Sequence, residues 1–173
     1  MKKIKTLTVF FAFILCVFTS CETTKGGEML PFNAIIGVGG PLEFKEDFIK
    51  SNRTYGALYW NEIGELVEDI TSPKFRTFIV TEKAQLEDIF SVYPDIDLEK
   101  NMIVMYVFTA IYVRALKITN ITLFNEKLKI DFKYQKGKPD HNDATSPQTR
   151  FLVLRMNKLD IDTLEFNLLN PRG

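Results

Sequence analysis

The sequence predicts an α+β fold in which β dominates: a mainly antiparallel sheet that carries one packed helix. Three observations predict it. An apolar run of strand length, "MIVMYVF" at residues 102–108, is rich in β-branched and aromatic side chains. Two alternating runs flank the polar pair Asn125-Glu126, and only the segment after Thr81 has a clear helical period.

Taken in chain order, Ala34-Ile35-Ile36 opens the fold and Gly37-Val38-Gly39-Gly40-Pro41 follows as a turn that uses positive φ. A phosphate loop would need Gly-Lys-Ser/Thr and a helix there, and Pro41-Leu42 breaks that pattern. Residues 43–72 stay open between strand and helix, with Phe44, Phe48 and Ile49 at near-helical spacing and Leu58, Tyr59 and Trp60 before Ile63, Leu66, Val67 and Ile70. Past Pro73 the signals sharpen. Residues 75–80 read as a strand, and Thr81 can cap a helix whose Leu86, Ile89, Phe90 and Tyr93 share one face, with Glu82 and Asp88 on the other and Pro94 as the stop.

The run at 102–108 is predicted to be buried on both faces at the centre of the sheet. Leu116 and Ile118 alternate, the phase slips at Asn120, and Ile121 and Leu123 resume it before the turn. Leu128, Ile130, Phe132 and Tyr134 then alternate strictly, so a hairpin with one wet face and a bulge is expected. Residues 135–149 form a long polar loop, 150–156 another strand, and Leu164, Phe166 and Leu168 a last one.

The N-terminus has a different character. Lys2, Lys3 and Lys5 precede an apolar stretch from Leu7 to Phe18 that is too short to span a bilayer, which is a secretory signal pattern. Phe18-Thr19-Ser20-Cys21 resembles the bacterial lipobox, with Phe18 where Leu is usual. Residues 1–20 then form the signal peptide, Cys21 becomes the first residue and carries the lipid, residues 21–33 are anchor and tether, and 34–173 are one globular envelope domain. Cys16 leaves with the leader, so no internal disulfide forms. The bland alternative is ordinary secretion with Cys21 as a free thiol. Several acyl chains on one cysteine satisfy the two-signal requirement for stable anchoring, at the cell membrane or the outer membrane.

Charge narrows the function further. The full chain has 22 basic and 22 acidic side chains, and the leader removes three lysines and no acid, so the mature protein is mildly acidic. Without clustered Lys and Arg there is no surface for phosphate backbones, and nucleic acid is excluded as a partner.

Residues able to carry chemistry are few. His141 is the sole histidine, in the loop "GKPDHNDATSP", and there is no Gly-x-Ser-x-Gly elbow; a multi-histidine zinc site cannot be built. The calcium-loop template fails from Asp140 onward, because Thr145 stands where Gly is needed and Phe151 where the bidentate Glu belongs. No metal and no cofactor are expected, and no catalytic residue is assigned. Glu62 with Glu65, or Glu68 with Asp69, are carboxylate pairs of the kind common on acidic surfaces. Tyr55, Tyr59 and Trp60 are the more informative group: exposed, they offer a platform to a sugar or a protein, and buried, they are a satellite core cluster.

From residue 75 to 156 the order of a strand, "EKAQLEDIF" as a helix, "DLEKNMIVMYVF", the hairpin with "KLKIDFKY", and Pro147 leading into "RFLVLRM" resembles the C-terminal domain of the PrcB family. The resemblance implies an exported lipoprotein associated with a cell-surface protease complex. Where that family commonly has glycines and an aromatic after the central strand, this chain has Thr109-Ala110-Ile111-Tyr112, and only Tyr112 matches. The resulting expectation is a non-enzymatic adaptor that binds an envelope protein, with Tyr55, Tyr59, Trp60 and Tyr112 as contact residues. A glycan or small-molecule receptor using Tyr55, Tyr59 and Trp60, or the loop around His141, is the alternative, and a hydrolase the third reading.

Overall fold

The computed structural model describes residues 30–35, 42–111, 116–134 and 147–169. Its centre is β7 (Asn101–Ala110), the strand that the apolar run predicts. It lies inside a four-stranded antiparallel sheet of order β1-β10-β7-β5, with β1 at Phe32–Ile35, β10 at Gln148–Asn157 and β5 at Phe75–Val80. Both faces of this sheet are covered, which explains why β7 shows no polar alternation.

The two faces bury different partners. Met102, Val104 and Phe108, with Leu152, Leu154 and Met156 of β10, pack against a second sheet of order β11-β9-β8. That sheet contributes Ile118 and Ile121 from β8 (Leu116–Phe124), Leu128, Ile130 and Phe132 from β9 (Lys127–Tyr134), and Phe166 from β11 (Thr163–Leu168). On the opposite face Ile103, Met105, Val80 and Val153 meet Leu86 and Ile89 of the helix, together with Leu42, Phe90 and Ile96. The result is three layers, with the helix on one side of the central sheet and the smaller sheet on the other. Tyr106 extends the first interface: its ring centroid lies 5.2–5.3 Å from those of Phe75, Phe108, Phe132 and Phe166. Burial, helped by the neighbouring Tyr134, pushes the Tyr106 hydroxyl up to about 12.

The hairpin β8–β9 follows its sequence pattern closely. Register passes from Ile118 opposite Phe132 to Asn120 opposite Asp131, so Thr119 is the extra residue of a bulge, and its hydroxyl donates to the Asp131 carbonyl at 3.0 Å. Asn125 (φ 48°) and Glu126 (φ 60°) close it as a two-residue turn whose twist suits a hairpin. The outer face is polar, with Lys129 and Asn167 both meeting Asp131 and an ion pair between Lys127 and Glu165.

Four features differ from the expectation. The helix α2 spans Lys83–Ile89 with Glu82 at its N-cap, where sequence pointed to Thr81 and to a continuation through Tyr93. Gln85 holds the start, its Oε1 accepting the Thr81 and Glu82 N–H groups at 2.8 and 3.1 Å. The stripe fails after Ile89 because Phe90–Val92 forms β6 against β2 (Glu43–Phe44), with the Phe90 ring tilted against that of Phe44: a tertiary contact overrides helical spacing. A second helix, α1 (Glu46–Ser51), occupies part of the segment left open and lays Phe48 against Phe44 and Phe78.

The last strand is the third difference: β11 runs parallel to β9. Parallel neighbours need a crossover, and β10, lying in the other sheet, supplies it without a helix. The fourth is the domain start. Phe32 and Asn33, assigned by sequence to the tether, already pair with Met156 and Arg155, and Leu30 packs on the core. The turn at 37–41 and the loop around His141 lie outside the described residues.

The completely buried Leu154 tests the two-sided sheet. Leu154→Ala should cost about 2–5 kcal/mol in urea denaturation, whereas Ile63→Ala at an exposed position should stay within about 0.5 kcal/mol.

Candidate functional site

Residues 57–69 fold as a separate two-stranded ribbon, β3 (Ala57–Trp60) against β4 (Leu66–Asp69), at one end of the central sheet. The tip is built by Asn61. Its side-chain carbonyl accepts the Ile63 and Glu65 N–H groups at 3.2 and 2.8 Å, while its own N–H donates to the Glu65 carbonyl at 2.9 Å. Gly64 donates to the Asn61 carbonyl and sits at φ 77°, the left-handed position that ends a three-residue hairpin loop.

Period-two geometry sorts the ribbon into two faces. Tyr59 and Val67 are opposite one another on the half-buried side. The Arg53 guanidinium covers the Tyr59 ring at 3.5 Å from its centroid, a contact worth about 0.5–1 kcal/mol near the surface. Trp60 and Leu66 are opposite one another on the outer side, 70% and 55% exposed, and Ile63 at the tip is 78% exposed. Ile70 and Tyr55, just outside the ribbon in sequence, are also exposed.

Several bonds fix the ribbon to the body. Thr54 is completely buried, and its hydroxyl lies 2.6 Å from that of Thr109 near the end of β7. Because the Thr109 hydroxyl donates to the Thr54 carbonyl at 3.2 Å, the Thr54 hydroxyl is the donor in the shorter contact. Leu58 N–H donates to the Pro147 carbonyl and Tyr55 N–H to that of Pro73. Gly56, at φ 86°, passes close to Thr109 and Pro147, where a side chain would be strained. Asp69 closes the ribbon's base by accepting from the backbone and hydroxyl groups of Thr71 and Ser72; the Ser72 hydroxyl is the main cause that holds its carboxyl below the usual range.

The structure therefore brings Tyr55 and Trp60 to the surface and turns Tyr59 to the inner side beneath Arg53, with no ring contact among the three. Tyr112 and Cys21 lie outside the described residues. Sequence reasoning missed Ile63, Leu66 and Ile70 as surface residues. Their signal was the turn "NEIGE" between Trp60 and Leu66, which converts an apolar spacing that looks like core into the two arms of a ribbon.

Away from the ribbon, a cleft of about 370 Å³ lies beside the start of α2. Leu86 and Ile96 form its floor, and Glu82, Asp95, Lys83 and Lys158 are at its rim. Lys158 Nζ is already engaged by the Leu98 carbonyl at 3.2 Å. Among the described residues no group of three His, Cys, Asp or Glu is placed to hold a metal, and no helix is long and apolar enough to cross a membrane. Comparison of the chain with protein-family models, with curated proteins and with solved structures finds no match.

Thr109→Val should leave the buried Thr54 hydroxyl without its partner and cost about 1–3 kcal/mol, while the double variant Thr54→Val/Thr109→Val should recover part of that loss in a double-mutant cycle. Asp69 has a depressed carboxyl in the folded state, so its contribution is present above the unfolded pKa and is lost as pH falls through the folded one. Acid denaturation of Asp69→Asn should accordingly show a shallower loss of stability below the usual carboxylate range than the parent protein.

Proposed function

We propose that this protein is a lipid-anchored, non-enzymatic module of the bacterial envelope that binds another protein through the β3–β4 ribbon. The observation that supports this reading is the apolar surface formed by Trp60, Ile63 and Leu66 at the end of a ribbon held rigidly from below. Trp is among the residues that dominate protein contacts, and a clustered apolar surface with a polar surround suits a docking site. The resemblance to the PrcB family makes a protease a natural partner. The lipobox pattern at Cys21 supports attachment to the cell membrane or the outer membrane through acyl chains.

Geometry gives the anchor a limited radius. Cys21 and Leu30 are nine residues apart, so a fully extended tether spans about 30 Å. A partner would then be met close to the bilayer. A glycan receptor is the second reading, favoured by the exposed face of Trp60, since sugars stack on such rings.

Pull-down of the tagged full-length protein from gently solubilised host membranes tests the first reading. A stoichiometric envelope partner is expected, and Trp60→Ala combined with Leu66→Ser should abolish its capture while leaving the thermal midpoint unchanged. Capture that is indifferent to both substitutions would overturn the assignment of the ribbon. A change in Trp60 fluorescence on adding envelope glycans, with no protein captured, would favour the receptor. For the anchor, Cys21→Ser should move the protein from the membrane to the soluble fraction and remove lipid labelling.

A further inference from the structure

The free edge of β4 has a defined hydrogen-bonding phase. Asn61 N–H bonds to Glu65, so residues 61 with 65 and 59 with 67 are the hydrogen-bonded pairs of the ribbon, and 60 with 66 and 58 with 68 are the others. The N–H and C=O groups of Leu66 and Glu68 therefore point away from β3. The same phase is visible on the β3 side, where Leu58 N–H points outward to Pro147. Among the described residues, no backbone bond reaches Leu66 or Glu68 along this outer edge.

The charge of the ribbon is one-sided. Between Ala57 and Asp69 the chain has Glu62, Glu65, Glu68 and Asp69 and no Lys or Arg. Asp69 is occupied by Thr71 and Ser72, but Glu62, Glu65 and Glu68 are exposed and join no ion pair among the described residues. This charge selects the occupant. A second copy of the chain would set acid against acid across the new pairing, and an anionic bilayer surface would repel the same side chains. A basic strand gains on both counts.

We infer that the outer edge of β4 receives an extended, basic segment of the partner protein as an added strand. The inference rests on the protein-binding reading above and specifies its mode. Main-chain bonds to Leu66 and Glu68 supply attachment, and side-chain alternation supplies selection. On the outer face, the added strand places an apolar residue beside Leu66 and a Lys or Arg beside Glu68 two positions away, while Trp60 flanks Leu66 from the β3 side. The recognised chemistry is a segment in which basic and apolar residues alternate on one face.

The test uses full-length protein in lipid nanodiscs and the peptide acetyl-Lys-Thr-Leu-Thr-Lys-Thr-Leu-amide, with a control that has Glu in place of each Lys. Binding of the Lys peptide should slow amide exchange at Leu66 and Glu68, and the Glu peptide should bind at least about tenfold more weakly. Glu68→Pro deletes one outward N–H and leaves the pairing with β3 in place; it should weaken binding about tenfold beyond Glu68→Ala, which removes only the charge. Should Glu68→Pro disorder the ribbon, a peptide N-methylated at the amides that face β4 replaces it, and its retained affinity would overturn strand addition. Absence of protection at Leu66 and Glu68, or equal binding of the two peptides, would do the same. Envelope-partner capture that survives Glu68→Pro but is lost with Trp60→Ala sinks strand addition and leaves the protein-binding reading standing, whereas a protein that captures no partner and binds neither peptide loses both.

Discussion

Burial of the central sheet on both faces is the constraint from which the rest of the molecule follows. A strand with no solvent face cannot accommodate a polar side chain without a partner, so β7 is apolar at Met102 to Met105 and its neighbour β10 is apolar at Leu152 to Leu154. Two opposed surfaces must then be supplied. The helix α2 with Phe90 and Ile96 covers one, and the β8–β9–β11 sheet covers the other. This two-sided demand also explains the parallel pairing of β11: the chain must leave the smaller sheet to place β10 in the central one and then return. Polar residues are displaced to the outer face of the smaller sheet and to the ribbon at the sheet's end.

Much of this was legible in the sequence because strong periodicity and complete burial leave little choice. The doubly buried strand, a bulge read at Asn120 and found one residue earlier at Thr119, the turn at Asn125-Glu126 and the wet face of the hairpin are all local consequences of side-chain alternation. What could not be read depends on contacts distant in the chain. Phe90 lies on the same helical stripe as Leu86 and Ile89, yet it belongs to a strand because residue 44 comes to meet it. Likewise the direction of β11 depends on which sheet β10 joins, and nothing within either segment encodes that. The exposed apolar surface of the ribbon fell between these cases. Trp60 was legible as a candidate, while Leu66 and Ile63 were not, since their spacing suits a buried helix face until the Asn61 turn is recognised.

The ribbon differs from an ordinary surface loop in how it is held. A half-buried hydroxyl pair, a guanidinium over Tyr59 and carbonyls from Pro73 and Pro147 hold it to the body. The outer side can therefore stay apolar without collapsing onto the body, because the inner contacts already determine its position. An exposed Trp on a floppy segment would lose conformational freedom on binding. Fixed this way, Trp60 and Leu66 need little further ordering, which favours affinity at a given contact area.

The early start of the domain also has a mechanical meaning. Any pull transmitted from the N-terminal side arrives at Leu30 and Phe32, and from there at β1, which is held to β10 over four residue pairs at the rim of the central sheet. β10 itself feeds both core layers, through Leu152, Leu154 and Met156 on one face and Val153 on the other. Load from that side would thus be received by a short edge strand that can come away while β10, β7 and β5 keep their pairing, so the sheet has a weak edge ahead of its core.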